Sequence, residues 1–225
     1  LKPYTPGEQP KDMKYVKLNT NESPFPPSEK AREAARKALE NLQLYSDPDC
    51  TKLLEAITKV YDISRDEVVF SNGSDECLNY AFMAYCDDEH PAAFADITYG
   101  FYPVFAQINR IPYREIPLKE DFTLDIEDYK GIGSTIFSAN PNAPTGIALK
   151  PSQIEEILKS NPDNIVVVDE AYVDFGTESC VPLIHKYKNL LVTQTFSKSR
   201  SLAGGRLGSV MAGREIIEDL EKIKY

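Results

Sequence analysis

Asp169, Tyr172, Lys198 and Arg206 follow one another along the chain and supply an acid, a phenol, an amine and a guanidinium. Ile165-Val166-Val167-Val168 is wholly apolar and β-branched, and it ends abruptly in Asp169-Glu170. Leu190-Leu191-Val192-Thr193-Gln194-Thr195 is a second strand-like run, with Ser197-Lys198 just past its end. Strands buried on both faces read this way, and open α/β sheets bind ligands just beyond the carboxyl ends of such strands. An acid and a lysine are thereby delivered to one rim. The pair suits pyridoxal 5'-phosphate (PLP), in which a lysine forms a Schiff base and a carboxylate holds a proton on the pyridine nitrogen.

Other residues extend that chemistry. Tyr172, three residues after Asp169, is placed to give its hydroxyl proton to a ring oxygen. Schiff-base chemistry needs a neutral amine, and Lys198 stands between hydroxyl residues in Thr195-Phe196-Ser197-Lys198-Ser199. Gly204-Gly205 permits a tight path that returns Arg206 to the same site, where its donor fork matches phosphate oxygens. Ser71-Asn72-Gly73-Ser74-Asp75 follows a strand and opens a helix, whose free N–H groups and dipole favour an anion. The Asp75 backbone is expected to bind while its carboxylate points away. Asn140-Pro141-Asn142-Ala143-Pro144-Thr145-Gly146 reads as a rigid turn offering an amide to a ring oxygen, and Tyr99 as a ring that stacks on a flat ligand. Each string alone has a plainer reading: an acidic strand end, a solvated lysine, an ordinary turn. His90 and His185 stand apart in no ligand-spaced cluster, so no metal site is expected.

These residues require strands to carry them. The pattern predicts strands near 67–70, 92–97, 112–116, 134–138, 164–168, 190–195 and 207–212. Helices are expected near 74–86, 102–109, 152–160 and 182–187, the third opened by a Ser152-Gln153-Ile154-Glu155 capping box. Upstream, Ser28 caps a helix with the apolar stripe Ala31, Ala34, Ala35, Ala38, Leu39 and Leu42, and a second helix carries Leu53, Leu54, Ile57 and Val60. The fold class is α/β: a mostly parallel seven-stranded sheet flanked by helices. Residues 1–27, rich in proline, read as an extended N-terminal arm, and 28–225 as the cofactor-binding large domain. A final helix from 213 onward, apolar at Ile216, Ile217, Leu220 and Ile223, stops in mid-pattern. It is expected to begin a link to a C-terminal small domain absent from the chain, and to leave its apolar face uncovered.

Composition narrows the class. The chain has 225 residues and a formal net charge of -10, which opposes binding to nucleic-acid phosphates. No apolar run is long enough for a bilayer, so no membrane partner is expected. Four cysteines without CxxC or zinc spacing read as reduced and mostly packed, as in a cytoplasmic protein.

The ordered set GSD, TYG, NPNAPTG, DEAY, TFSK and GGR, with Leu18-Asn19-Thr20-Asn21-Glu22-Ser23-Pro24 and Tyr45-Ser46-Asp47-Pro48-Asp49, resembles the fold-type I PLP-dependent aminotransferases over nearly the whole chain. Within them it is most similar to the group acting on histidinol phosphate. The resemblance implies transfer of an amino group between L-histidinol phosphate and 2-oxoglutarate, a step of histidine biosynthesis. It implies Lys198 as the Schiff-base lysine and proton shuttle, Asp169 on the pyridine nitrogen, Tyr172 on the phenolate oxygen and Tyr99 on the ring face. Ser74, Asp75, Thr195, Ser197 and Arg206 would hold the cofactor phosphate. Tyr45 would reach the phosphate of the partner subunit in a homodimer, and Asn21 would face substrate. Where many relatives carry asparagine before Pro-Thr-Gly, this chain has Ala143, so the ring-oxygen contact passes to Asn142 or to Tyr172 alone. Rival readings are threonine-phosphate decarboxylation, transamination of an aromatic amino acid, and a catalytically silent regulatory domain.

Overall fold

A computed structural model of the protein describes residues 7–224; Pro3 and Pro6 of the expected arm, and Tyr225, lie outside the described residues. The β-branched and aromatic runs form seven strands: β1 (Val68–Asn72), β2 (Ala92–Ala95), β3 (Tyr113–Ile116), β4 (Thr135–Ala139), β5 (Val166–Asp169), β6 (Leu190–Thr195) and β7 (Leu207–Ala212). They pair into one sheet in the order β1-β7-β6-β5-β4-β2-β3. β7 is antiparallel to both neighbours, and the remaining pairs are parallel. The α-helices among the described residues are α1 (Glu29–Ala38), α2 (Thr51–Tyr61), α3 (Ser74–Tyr85), α4 (Tyr102–Asn109), α5 (Pro151–Ser160) and α6 (Arg214–Glu221).

Strand periodicity divides the core in two. Phe137, Val167, Leu191 and Val210 face one layer and pack with Leu78 and Phe82 of α3, Tyr102 and Phe105 of α4, and Ile216 and Leu220 of α6. Ile136, Val166, Val168, Val192 and Met211 face the other layer and pack with Ile57 of α2 and Ile154, Ile157 and Leu158 of α5. Parallel strands covered on both sides must be apolar on both sides, which is why β5 and β6 read as unbroken apolar runs.

Three expectations change. The stripe Ile216, Ile217, Leu220 of α6 is buried within the chain rather than left bare, because α6 folds back against α3, β1 and β7. Segment Val181–His185 is a 3-10 helix, with Pro182 in its first turn in place of the expected α-helix. α5 starts at Pro151, one residue early, so the predicted Ser152/Glu155 box is replaced: the Lys150 N–H donates to Gln153 Oε1 at 2.9 Å. Proline is favoured at this first position because its missing N–H has no partner there in any case.

Not all of the chain is packed. α1 buries none of its residues; Leu39 and Leu42 are exposed, as are Met13, Val16, Leu18 and Phe25 of the arm. Among the described residues, no helix is long and apolar enough to cross a membrane. All four cysteines are free, and burial pushes the thiols of Cys77, Cys86 and Cys180 up to about 12. His90 lies 3.0 Å from Asp87 and His185 3.3 Å from Glu67, each at the surface.

Candidate active site

The strand ends converge on a cavity of about 180 Å³. β5 ends in Asp169 and β6 in Thr195, whose following turn brings Ser197 and Lys198. β1 leads through Gly73 to Ser74 and Asp75; the loops after β2 and β4 add Tyr99, Pro141 and Ala143. Arg206 arrives just before β7, and Thr20 and Glu22 of the arm also line the cavity. Lys198 Nζ donates to the Thr20 carbonyl at 2.9 Å and lies 5.6 Å from the Tyr172 ring centroid. The arm reaches Tyr172 as well, through Asn21 Nδ2 donating to its hydroxyl at 2.9 Å.

Asp169 forms the floor. It is only 4% exposed. Tyr102 Oη donates to its Oδ2 at 3.0 Å; Thr193 Oγ1 and the Ala171 N–H each donate to its Oδ1 at 3.2 Å. Burial pushes its pKa up to about 6, the Tyr102 and Thr193 hydrogen bonds oppose that rise, and the nearby Asp75 adds to it. A buried carboxylate in this state lacks a cation, and a protonated ring nitrogen would supply one.

The other end of the cavity is built for an anion. Gly73 adopts φ +80°, and a Cβ there would meet Arg206 Nη2 at 2.6 Å. Gly208 lies closer still, since a Cβ would come within 2.4 Å of Ser74 N. These two glycines let β7 and Arg206 press against the start of α3, where the first N–H groups of a helix lack intrahelical partners and where Ser74 and Asp75 line the cavity. Thr195 Oγ1 donates to Ser197 Oγ at 3.0 Å. Arg206 Nη1 donates to the Ala203 carbonyl at 3.2 Å, while its Nη2 makes only long contacts, at 3.4 Å to the Asn72 carbonyl and 3.5 Å to Asp75 Oδ2, for which a phosphate oxygen would be a stronger acceptor. Donors at one end, a carboxylate at the other and the Tyr99 ring between them fit a flat, phosphorylated, cationic heterocycle.

The sequence profile described as "Aminotransferase class I and II" matches residues 13–225. The chain belongs to this aminotransferase family. Over its full length it is 54% identical to the histidinol-phosphate aminotransferase of Marinomonas sp. (strain MWYL1) and 50% identical to that of Brachyspira hyodysenteriae (strain ATCC 49526 / WA1). It spans 64% of the length of each of these curated relatives. The solved histidinol-phosphate aminotransferase of Sinorhizobium meliloti, crystallised with pyridoxal-5'-phosphate, shares the fold at a TM-score of 0.84 and 22% identity, over 91% of this chain and 58% of that one.

In this aminotransferase chain the cavity brings together Ser74, Asp75, Tyr99, Asp169, Tyr172, Thr195, Ser197, Lys198 and Arg206. Two expectations fail. Asn142 does not face the cavity: its Nδ2 donates to the Ile97 carbonyl at 2.9 Å and to Thr145 Oγ1 at 3.1 Å, and its Oδ1 accepts from Thr98 Oγ1 at 2.6 Å. Every polar atom of that amide is already committed to holding the loop, and Ala143 lines the cavity instead. Nor does the Asp75 carboxylate point away. It accepts from the Tyr99 hydroxyl at 2.7 Å and sits beside Arg206 within the cavity wall. Tyr45 is fully exposed and does not line this cavity.

Sequence reasoning gave Tyr102 and Thr193 no role. Thr193 carried a usable signal, since a hydroxyl within an apolar strand run calls for a partner, and it pairs in register with Asp169. Tyr102 shares a string with Tyr99, but nothing local links it to an acid 67 residues away.

Proposed function

We propose that the protein is a PLP-dependent aminotransferase that moves an amino group between L-histidinol phosphate and 2-oxoglutarate, a step of histidine biosynthesis. The observation that carries the chemistry is the single cavity shared by Asp169, Lys198 and the anion-binding end around Ser74 and Arg206. The substrate reading is supported by relatives of that name at 54% and 50% identity along the whole chain. When bound, PLP supplies an electron sink for the substrate's α-carbon. Asp169 holds the proton on the ring nitrogen. Lys198 Nζ anchors the cofactor covalently and carries a proton to and from the α-carbon. The Tyr172 hydroxyl offers its proton to the ring oxygen, with no help from Asn142. Ser74, Thr195, Ser197 and Arg206 grip the phosphate, Tyr99 covers the ring, and Asn21 lies on the substrate side.

The same reading makes the active unit a homodimer, in which Tyr45 reaches the partner's site. The bare stripe of α1 and the exposed arm residues Met13, Val16 and Leu18 are what such a partner would cover. The division into arm and large domain, the small domain beyond it and a cytoplasmic location also belong to this reading, with no nucleic-acid or membrane partner.

Borohydride reduction of the full-length, PLP-loaded protein should place the label on Lys198 in a peptide map. A donor screen should then show amino transfer from histidinol phosphate in preference to phosphothreonine or aromatic amino acids. Label on another lysine overturns the site, and carbon dioxide release from phosphothreonine overturns the substrate.

A further inference from the structure

Tyr102 opens α4 and is fully buried. Its ring packs against Phe94, Phe137 and Tyr99, with centroids 5.6 to 5.8 Å apart, contacts that a phenylalanine would make as well. The hydroxyl is what needs a reason. It is aimed at Asp169 Oδ2, 3.0 Å away, at the end of β5 beside β6, the strand that leads into the turn with Lys198. A neutral, buried donor holds a carboxylate in one rotamer and favours its charged form.

We infer that Tyr102 is a positioning residue for the reaction, its hydroxyl fixing the Asp169 carboxylate in the orientation and charge state that the cofactor's ring nitrogen requires. This rests on the reading of the cavity as a PLP site. The groups facing Asp169 leave Tyr102 a defined share of the work. From α3 come Asp75, which opposes ionisation of Asp169, and Cys77, whose thiol burial pushes up to about 12 and so keeps neutral. From β6 comes Thr193, at the longer distance of 3.2 Å. Glu170, next along the chain, hydrogen-bonds into the opposite layer with Ser179, Cys180 and Gln194. Burial and the Asp169 charge raise the Tyr102 phenol well above its ordinary value, so it remains a donor throughout the working range.

The test uses the full-length protein and Tyr102→Phe. In the apoprotein, carbon-13 NMR of labelled aspartate carboxyls, with Asp169 assigned through Asp169→Asn, should give a titration about one pH unit higher in the variant. In the PLP-loaded enzyme the acidic limb of the kcat/KM profile should move upward, and kcat at neutral pH should fall about tenfold with KM little changed. If Tyr102→Phe does not fold, 3-fluorotyrosine in place of Tyr102 preserves the packing with a more acidic donor and should move the Asp169 titration downward. An Asp169 titration that neither substitution moves overturns the inference. A wild-type protein that takes up no PLP overturns the cofactor reading instead, and the apoprotein titration still decides the link between Tyr102 and Asp169.

Discussion

Asp169 and Glu170 are adjacent, both acidic and both buried, yet they serve opposite sides of the sheet. The two-residue period of a strand sends Asp169 to the layer of α3 and α4, and Glu170 to the layer of α2 and α5. Glu170 is saturated: Oε1 accepts from the Cys180 N–H at 2.6 Å, and Oε2 from Ser179 Oγ at 2.7 Å and Gln194 Nε2 at 2.8 Å. Burial still raises its pKa, but all its partners lie within the chain. Asp169 has three longer contacts and one side open to the cavity. A closed hydrogen-bond shell marks a carboxylate that braces the fold, and an open one beside a cavity marks a carboxylate kept for a ligand.

Asp169→Asn should break this symmetry most. Turnover in the loaded full-length enzyme should fall about 100- to 1000-fold, since a neutral amide no longer holds the ring proton. Much of the cofactor should stay bound through Lys198 and the phosphate contacts, as absorbance would report. Near-normal kcat would mean that Asp169 is no more functional than Glu170.

The same substitution should have the opposite effect on the empty protein. Burial in the folded chain pushes the Asp169 carboxyl from its ordinary value of 3.8 up to about 6. Between those values the folded state binds more protons, so this group's contribution to stability falls as pH rises through that window. Above about pH 6 the full penalty applies, roughly 2–3 kcal/mol for a shift of this size. Asp169→Asn removes it, so the apoprotein should resist urea better than wild type at pH 7, with the gap closing toward pH 4. A gap of constant size would locate the cost elsewhere.

Glu170→Gln should invert the pattern. An amide must present an N–H either to the Cys180 N–H or to the Ser179 and Gln194 donors, so at least one buried donor goes unpaired. That should cost about 1–3 kcal/mol of folding stability, read as a lower urea midpoint. Turnover per bound cofactor should change less than threefold. A large loss of kcat with unchanged stability would transfer to Glu170 the role argued for its neighbour.

This contrast explains what could be read from sequence. The seven strands were legible because sheet burial on both faces demands unbroken β-branched runs, as at Val166–Val168. Asp169, Lys198 and Arg206 were legible because they interrupt or follow such runs. The partners that separate Asp169 from Glu170 were not, since Tyr102 and Gln194 come from distant segments joined only in the fold. Asn142 was misplaced because composition identifies a turn but not which consecutive side chain faces inward. The apolar pattern of α6 was legible, but not its cover, which depends on the helix folding back over α3.

Asn142 supplies the mildest test of the same distinction between closed and open polar shells. Its amide is held by Ile97, Thr145 and Thr98 and resembles Glu170 in having no atom left for the cavity. Asn142→Ala should therefore leave the loaded enzyme's absorption spectrum and its PLP affinity within about twofold of wild type. The expected cost is about 1 kcal/mol of stability, because the loop can open the freed Thr98 and Thr145 hydroxyls and the Ile97 carbonyl to water. A shifted spectrum or a tenfold weaker PLP affinity would show that Asn142 swings inward when the ring binds. The ring oxygen would then have two protein partners rather than Tyr172 alone.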